Sequence, residues 1–89
     1  MYAYITTATT TQVYTGKSRK VLITVNAALT GTIKVIDNTT GTTANVGIIT
    51  NPTVGSRYEY YGLGTGVRIV TDASCDITVN VDTGRSPGL

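Results

Sequence analysis

The sequence predicts an all-β fold: a small antiparallel β-sandwich or barrel of about six to eight short strands, with no significant helix. Three observations predict it. Apolar side chains recur with period two along much of the chain, as on a half-buried strand. Clusters of Gly, Asn and Asp punctuate those runs at intervals of about 8–12 residues. Thr supplies about a fifth of the 89 residues, and Val and Ile are also abundant; such branched side chains suit a pleated surface better than a helix. No window places apolar residues at helical spacing between two caps.

The clearest stretch is GVRIVTDASCDITVNVD, Gly66 to Asp82. Val67, Ile69 and Thr71 share one face of a first run, and Ile77, Val79 and Val81 one face of a second. The polar link Asp72 to Asp76 between them has hairpin length, so the two runs are expected to pair with each other. Upstream, residues 1–15 read as a Thr-rich N-terminal strand or an extended arm docking on a neighbouring subunit. On the arm reading, residues 1–11 are dispensable for folding. Gly16 to Lys20 is a basic turn. Lys20 to Ala27 is a strand, with Val21, Ile23 and Val25 opposite Leu22, Thr24 and Asn26. After a turn at Ala28 to Gly31, Thr32 to Asp37 returns the chain. Ile36 falls on the Lys34 side, so the second face of this run expects cover from another sheet or subunit. Asp37 to Gly41 turns again. Asn45 to Thr50 is a short strand whose Gly47 marks a bulge or a close approach. Arg57 to Tyr61, RYEYY, is the aromatic centre, with Tyr58 and Tyr60 on one face. Residues 16–83 thus form the sandwich domain, and 84–89 are expected to be a flexible tail.

Composition narrows the chemistry. Without histidine there is no Ser-His-Asp or Cys-His arrangement. Cys75 is the single cysteine, which excludes an intrachain disulfide and a Cys-rich zinc site. Cys75 sits in a predicted exposed turn with no basic neighbour to activate it. Charged residues are 13% of the chain and the formal net charge is +2, too dilute for a nucleic-acid surface. No apolar run is long enough for a membrane-spanning helix, and the N-terminus lacks a signal-peptide pattern. Asp72 and Asp76 flank one turn, and solvated turn acids are the simplest reading, ahead of a calcium or glycosidase pair. Gly62, Gly64 and Gly66 look superficially like a phosphate loop, but a strand follows where a helix N-terminus is required. No cofactor, metal or catalytic group is expected, and the protein is read as a non-enzyme. The tyrosines remain open between core, intersubunit contact and glycan platform.

The C-terminal half carries a resemblance. It runs Arg57-Tyr58-Glu59-Tyr60-Tyr61-Gly62, then Thr65-Gly66-Val67-Arg68-Ile69-Val70-Thr71, then Asp76-Ile77-Thr78-Val79, with Ile33-Lys34-Val35-Ile36-Asp37-Asn38 upstream. This order resembles small β-sandwich phage virion proteins, some of which decorate or cement capsids, over about residues 20–82. The resemblance implies a structural virion protein on the outer capsid surface, made in a bacterial host cytoplasm. Its implied partners are the major capsid protein and itself, as a homotrimer at a symmetry axis, with neither nucleic acid nor membrane. Contact candidates on that reading are Tyr2, Tyr4 and Ile5 near the N-terminus, with Tyr58, Tyr60 and Tyr61. A tail, neck or fibre component and a small glycan-binding module are the rival expectations.

Overall fold

A computed structural model describes residues 1–84. Eight strands follow in order: β1 (Tyr2–Ile5), β2 (Thr9–Thr15), β3 (Ser18–Ala27), β4 (Thr32–Ile36), β5 (Gly47–Thr50), β6 (Arg57–Leu63), β7 (Gly66–Thr71) and β8 (Asp76–Asp82). No helix occurs among the described residues. The expected tail lies outside them except for Gly84, whose N–H donates to Asp82 Oδ1 at 2.8 Å.

The strands form two four-stranded antiparallel sheets, ordered β1-β8-β3-β6 and β2-β7-β4-β5. Pairings nest one inside another: β4 with β5, β3 with β6, β2 with β7, β1 with β8. The chain is therefore one long antiparallel ribbon doubled at the β4–β5 loop. The β3–β8 and β4–β7 pairings roll that ribbon into two sheets. This is the order of an eight-stranded jelly roll. Both sheets keep free edges, so the fold is a sandwich and not a closed barrel.

Two expected pairings are corrected. β7 and β8 do not form a hairpin; they belong to opposite sheets, and their link at residues 72–75 crosses the sandwich. β4 likewise leaves the sheet of β3. In both cases the alternating pattern names a buried face, and a hairpin and a sandwich crossover bury the same face. For residues 1–15 the strand reading holds over the arm, and it takes two strands. β1 pairs with β8 from Tyr2↔Asn80 to Ile5↔Ile77, and β2 pairs with β7.

The core lies between the sheets, where the inward parities meet. Val21, Ile23 and Val25 of β3 and Ile77, Val79 and Val81 of β8 face Ile33 and Val35 of β4 and Val67 and Ile69 of β7. Each such aliphatic side chain contributes about 1.5–3 kcal/mol on leaving water. Tyr58 and Tyr60 pack partly buried against this core. At Gly47 of β5 a side chain of the facing sheet comes close: a Cβ there would lie 2.9 Å from Tyr60 Oη and Cε1. The glycine therefore marks a close approach, one of its two expected meanings, because the tyrosine ring occupies the space a side chain would need.

Ile36 is 1% exposed yet stands outside the main core cluster. Its parity puts it on the outer face of its sheet, opposite Arg68. The β4–β5 loop supplies the cover. Arg68 Nε donates to Gly41 O at 2.7 Å, and its Nη1 to Thr39 O at 3.4 Å and Gln12 Oε1 at 3.0 Å. The second-face cover at Ile36 thus comes from the chain itself.

Candidate functional site

Jelly-roll nesting sorts the connections into two ends. At one end, the links 6–8, 28–31, 51–56 and 72–75 are tied together. Asp72 takes the Thr32 N–H at 2.7 Å and the Thr32 hydroxyl at 2.9 Å. Those bonds hold its carboxyl below the usual carboxylate range. Asp76 instead accepts from Asn26 Nδ2 at 3.1 Å. The two acids have separate structural partners, and no group of His, Cys, Asp or Glu able to hold a metal gathers among the described residues. Thr71, buried at the end of β7, donates to Thr7 O at 2.6 Å and accepts from Thr9 N at 3.1 Å. Cys75 is half-buried, with its Sγ 3.4 Å from Ile5 O, and not in the exposed turn expected of it. Desolvation raises its pKa.

At the other end lies the glycine-rich link between β6 and β7. Its successive N–H groups do converge on an anion, as in a phosphate loop. The anion is Asp37, whose carboxylate accepts from Gly64 N at 2.9 Å, Thr65 N at 2.7 Å and Gly66 N at 3.1 Å. Partial desolvation pushes this carboxyl up, and the three N–H bonds outweigh it and lower the pKa. Gly66 is required here, since a Cβ would sit 2.8 Å from Asn38 O. The loop's binding capacity is spent on the protein's own side chain.

The exposed tyrosines of the strands lie on the outer face of the β1-β8-β3-β6 sheet. Register sets it out in rows. Tyr2, Asn80, Leu22 and Glu59 form one, and Tyr4, Thr78, Thr24 and Arg57 the next. Asp82, Lys20 and Tyr61 form a third. Tyr2, Tyr4 and Tyr61 are 72%, 60% and 65% exposed. They stand at opposite edges of the sheet, about 14 Å apart by strand spacing, so they frame the face and do not form one aromatic cluster. Leu22 and the polar side chains lie between. A groove of about 240 Å³ opens on this face, lined by Met1, Lys20, Leu22, Asn80, Val81 and Asp82.

Of the six contact candidates, these three tyrosines reach the surface, on one face but at its two edges. Tyr58 and Tyr60 turn inward, and burial raises the Tyr60 pKa. Ile5 is 4% exposed in the core and offers no contact surface; its parity with Ala3, opposite Tyr2 and Tyr4, carried that information. The parts sequence reasoning missed are Asn80, Thr78 and Lys20 as neighbours of the tyrosines. Their parities were legible, but their adjacency depends on the β1–β8–β3 order. Compared with known proteins, the chain matches no family model, no curated protein and no solved structure.

Proposed function

We propose that the protein is a structural subunit of a phage particle that binds the outer shell of the head and bridges its capsomers. The observation that carries this reading is the outer face of the β1-β8-β3-β6 sheet. It is four strands wide, framed by exposed Tyr2, Tyr4 and Tyr61, and sets Leu22, Thr24, Thr78 and Asn80 among the charged Lys20, Arg57, Glu59 and Asp82. Tyrosine is favoured in protein interfaces because it offers large area at small entropy cost and a hydroxyl for the rim. The mechanism is mass action: a subunit that binds only the assembled shell stabilises that shell, with no covalent step. Jelly rolls recur in viral capsid proteins, which supports the reading by analogy of fold alone.

The groove beside Tyr2 favours a second reading, a small glycan-binding module. Tyr2 would stack on a sugar ring while Asn80, Asp82 and Lys20 meet its hydroxyls. Its volume falls below the range of about 300–1,000 Å³ common for ligand pockets, so it ranks second.

The test is co-sedimentation of the purified chain with phage heads and, separately, with tails. Binding to heads that is lost in Tyr2→Ser/Tyr4→Ser supports the shell reading. Binding to tails alone moves the protein to the tail or neck. Binding to neither, together with a glycan-array signal lost in Tyr2→Ser, replaces the shell reading with the glycan module.

A further inference from the structure

A sheet edge is an adhesive surface, and natural β proteins blunt theirs with short strands, bulges or covering loops. This sandwich has four edge strands: β1, β6, β2 and β5. β1 and β5 are short, at four residues each. β2 is interrupted by a register shift between Gln12 and Tyr14. β6 is different. It spans seven residues and pairs with β3 at every position from Thr24↔Arg57 to Lys20↔Tyr61, the positive φ of Gly62 falling beyond that run. Among the described residues, no loop or side chain bonds the backbone of Arg57 to Leu63 on its free side.

The alternation of that edge follows from one bond. Val25 N donates to Ser56 O at 2.9 Å, so the Ser56 carbonyl, and by alternation the backbone groups of Tyr58 and Tyr60, face β3. Those of Arg57, Glu59 and Tyr61 then face outward. The same three residues place their side chains on the outer face of the sheet.

We propose that β6 is a self-pairing edge: two copies of the chain join β6 to β6 antiparallel about a two-fold axis at Tyr58, fusing their sheets into one of eight strands. Charge selects both the occupant and the register. Only antiparallel registers that oppose Arg57, Glu59 and Tyr61 to one another satisfy the outward backbone groups. Centring on Glu59 sets Glu59 against its own copy, and centring on Arg57 sets Arg57 against its own copy; like charges directly opposed destabilise a sheet. Centring on Tyr60 opposes Glu59 to Tyr61 and Arg57 to Leu63, with no charge pair. Centring on Tyr58 sets Arg57 of each chain opposite Glu59 of the other, twice, in hydrogen-bonded positions. This is the reciprocal contact an isologous two-fold interface requires. Arg57 has no ion-pair partner among the described residues, while Glu59 meets Lys20 at 3.4 Å through one oxygen and Tyr61 through the other, leaving acceptor lone pairs for a cation. The contact is two-fold and so departs from the three-fold arrangement implied by the resemblance.

The experiment is size-exclusion chromatography with light scattering over a concentration series, with circular dichroism to confirm folding of each variant. The expected mass is twice 9.3 kDa for the wild-type chain. Glu59→Arg sets Arg against Arg and Arg57→Glu sets Glu against Glu, so each single variant should weaken dimerisation at least tenfold. The double variant Arg57→Glu/Glu59→Arg exchanges the charges and should recover the dimer. A wild-type mass of one or three chains overturns the proposal, as does a dimer indifferent to all three variants. Neither result bears on whether the Tyr2 and Tyr4 face binds a shell, which the co-sedimentation assay reads separately.

Discussion

The Asp37 carboxylate accepts the backbone N–H of Thr65 at 2.7 Å, joining the β4–β5 loop to the β6–β7 link across the end of the sandwich. With Gly64 and Gly66 it completes three bonds to one side chain. Asp37→Asn keeps the shape and removes the charge, and an amide cannot satisfy three donors as well. The expected loss is about 1–2 kcal/mol of stability, at the low end for charge-assisted bonds because water still reaches the group. Urea unfolding followed by circular dichroism measures it.

The same carboxylate sets an acid limit. Its folded pKa lies below the ordinary 3.8, as does that of Asp72. A depressed acid contributes stability that is complete above its unfolded pKa and is lost as pH falls through the folded value. The urea midpoint should therefore fall as pH drops below about 4. The gap between wild type and Asp37→Asn should narrow over the same interval. A gap that stays constant from neutral pH to pH 2 would contradict the assignment.

Removing residues 1–11 should unfold the protein. The deletion takes all of β1, including Ile5 from the core, and the Thr9 to Thr11 pairs with β7. It also strips the partners of buried Thr71. Loss of the β signal in far-ultraviolet circular dichroism is the expected outcome, where a dispensable arm would leave the spectrum intact.

Ile36→Ala should cost about 2–4 kcal/mol, the range for a truncated buried aliphatic side chain. Arg68→Ala should cost less globally and loosen one segment. Without the guanidinium bonds to Gly41 O and Thr39 O, amide exchange in residues 38–45 should speed up relative to β3. Uniform acceleration across the chain would mean that Arg68 supports the whole sandwich and not this loop.

Cys75 should react slowly with Ellman's reagent in the folded protein. Burial raises its thiol pKa, so less thiolate is present at pH 8 than for a free cysteine. Denaturant should bring the rate up to that of an unstructured thiol.

Parity was the part of this fold legible in the sequence. Val21, Ile23, Val25, Val67, Ile69, Ile77, Val79 and Val81 all turn inward as their alternation requires. Partner choice was not legible. The strand after Asp72 looks the same whether it returns beside β7 or crosses to β3, because either way one face is apolar. The difference resides in tertiary bonds such as Thr32 N–H to Asp72 and Cys75 N–H to Thr6 O, which join residues far apart in sequence. The surface followed the same rule. Tyr2 and Tyr4 read correctly as opposite in parity to Ile5, but their placement beside Asn80 and Thr78 required the β1–β8 pairing. Gly62, Gly64 and Gly66 read correctly as a connection between strands, but the anion reading was set aside because no helix follows, and the three N–H groups on Asp37 depend on a carboxylate 27–29 residues away in sequence.

Nested pairing also governs the order in which the molecule can form. The β4–β5 pair closes a short loop, but Tyr2 finds Asn80 only after almost every intervening residue has been made. During synthesis the sheet containing β1 must wait for β8 to leave the ribosome, with the apolar faces of β1 and β3 uncovered meanwhile. A topology dominated by such distant partners folds in milliseconds to seconds and not microseconds, and its exposed half-sheets are the species a chaperone would meet.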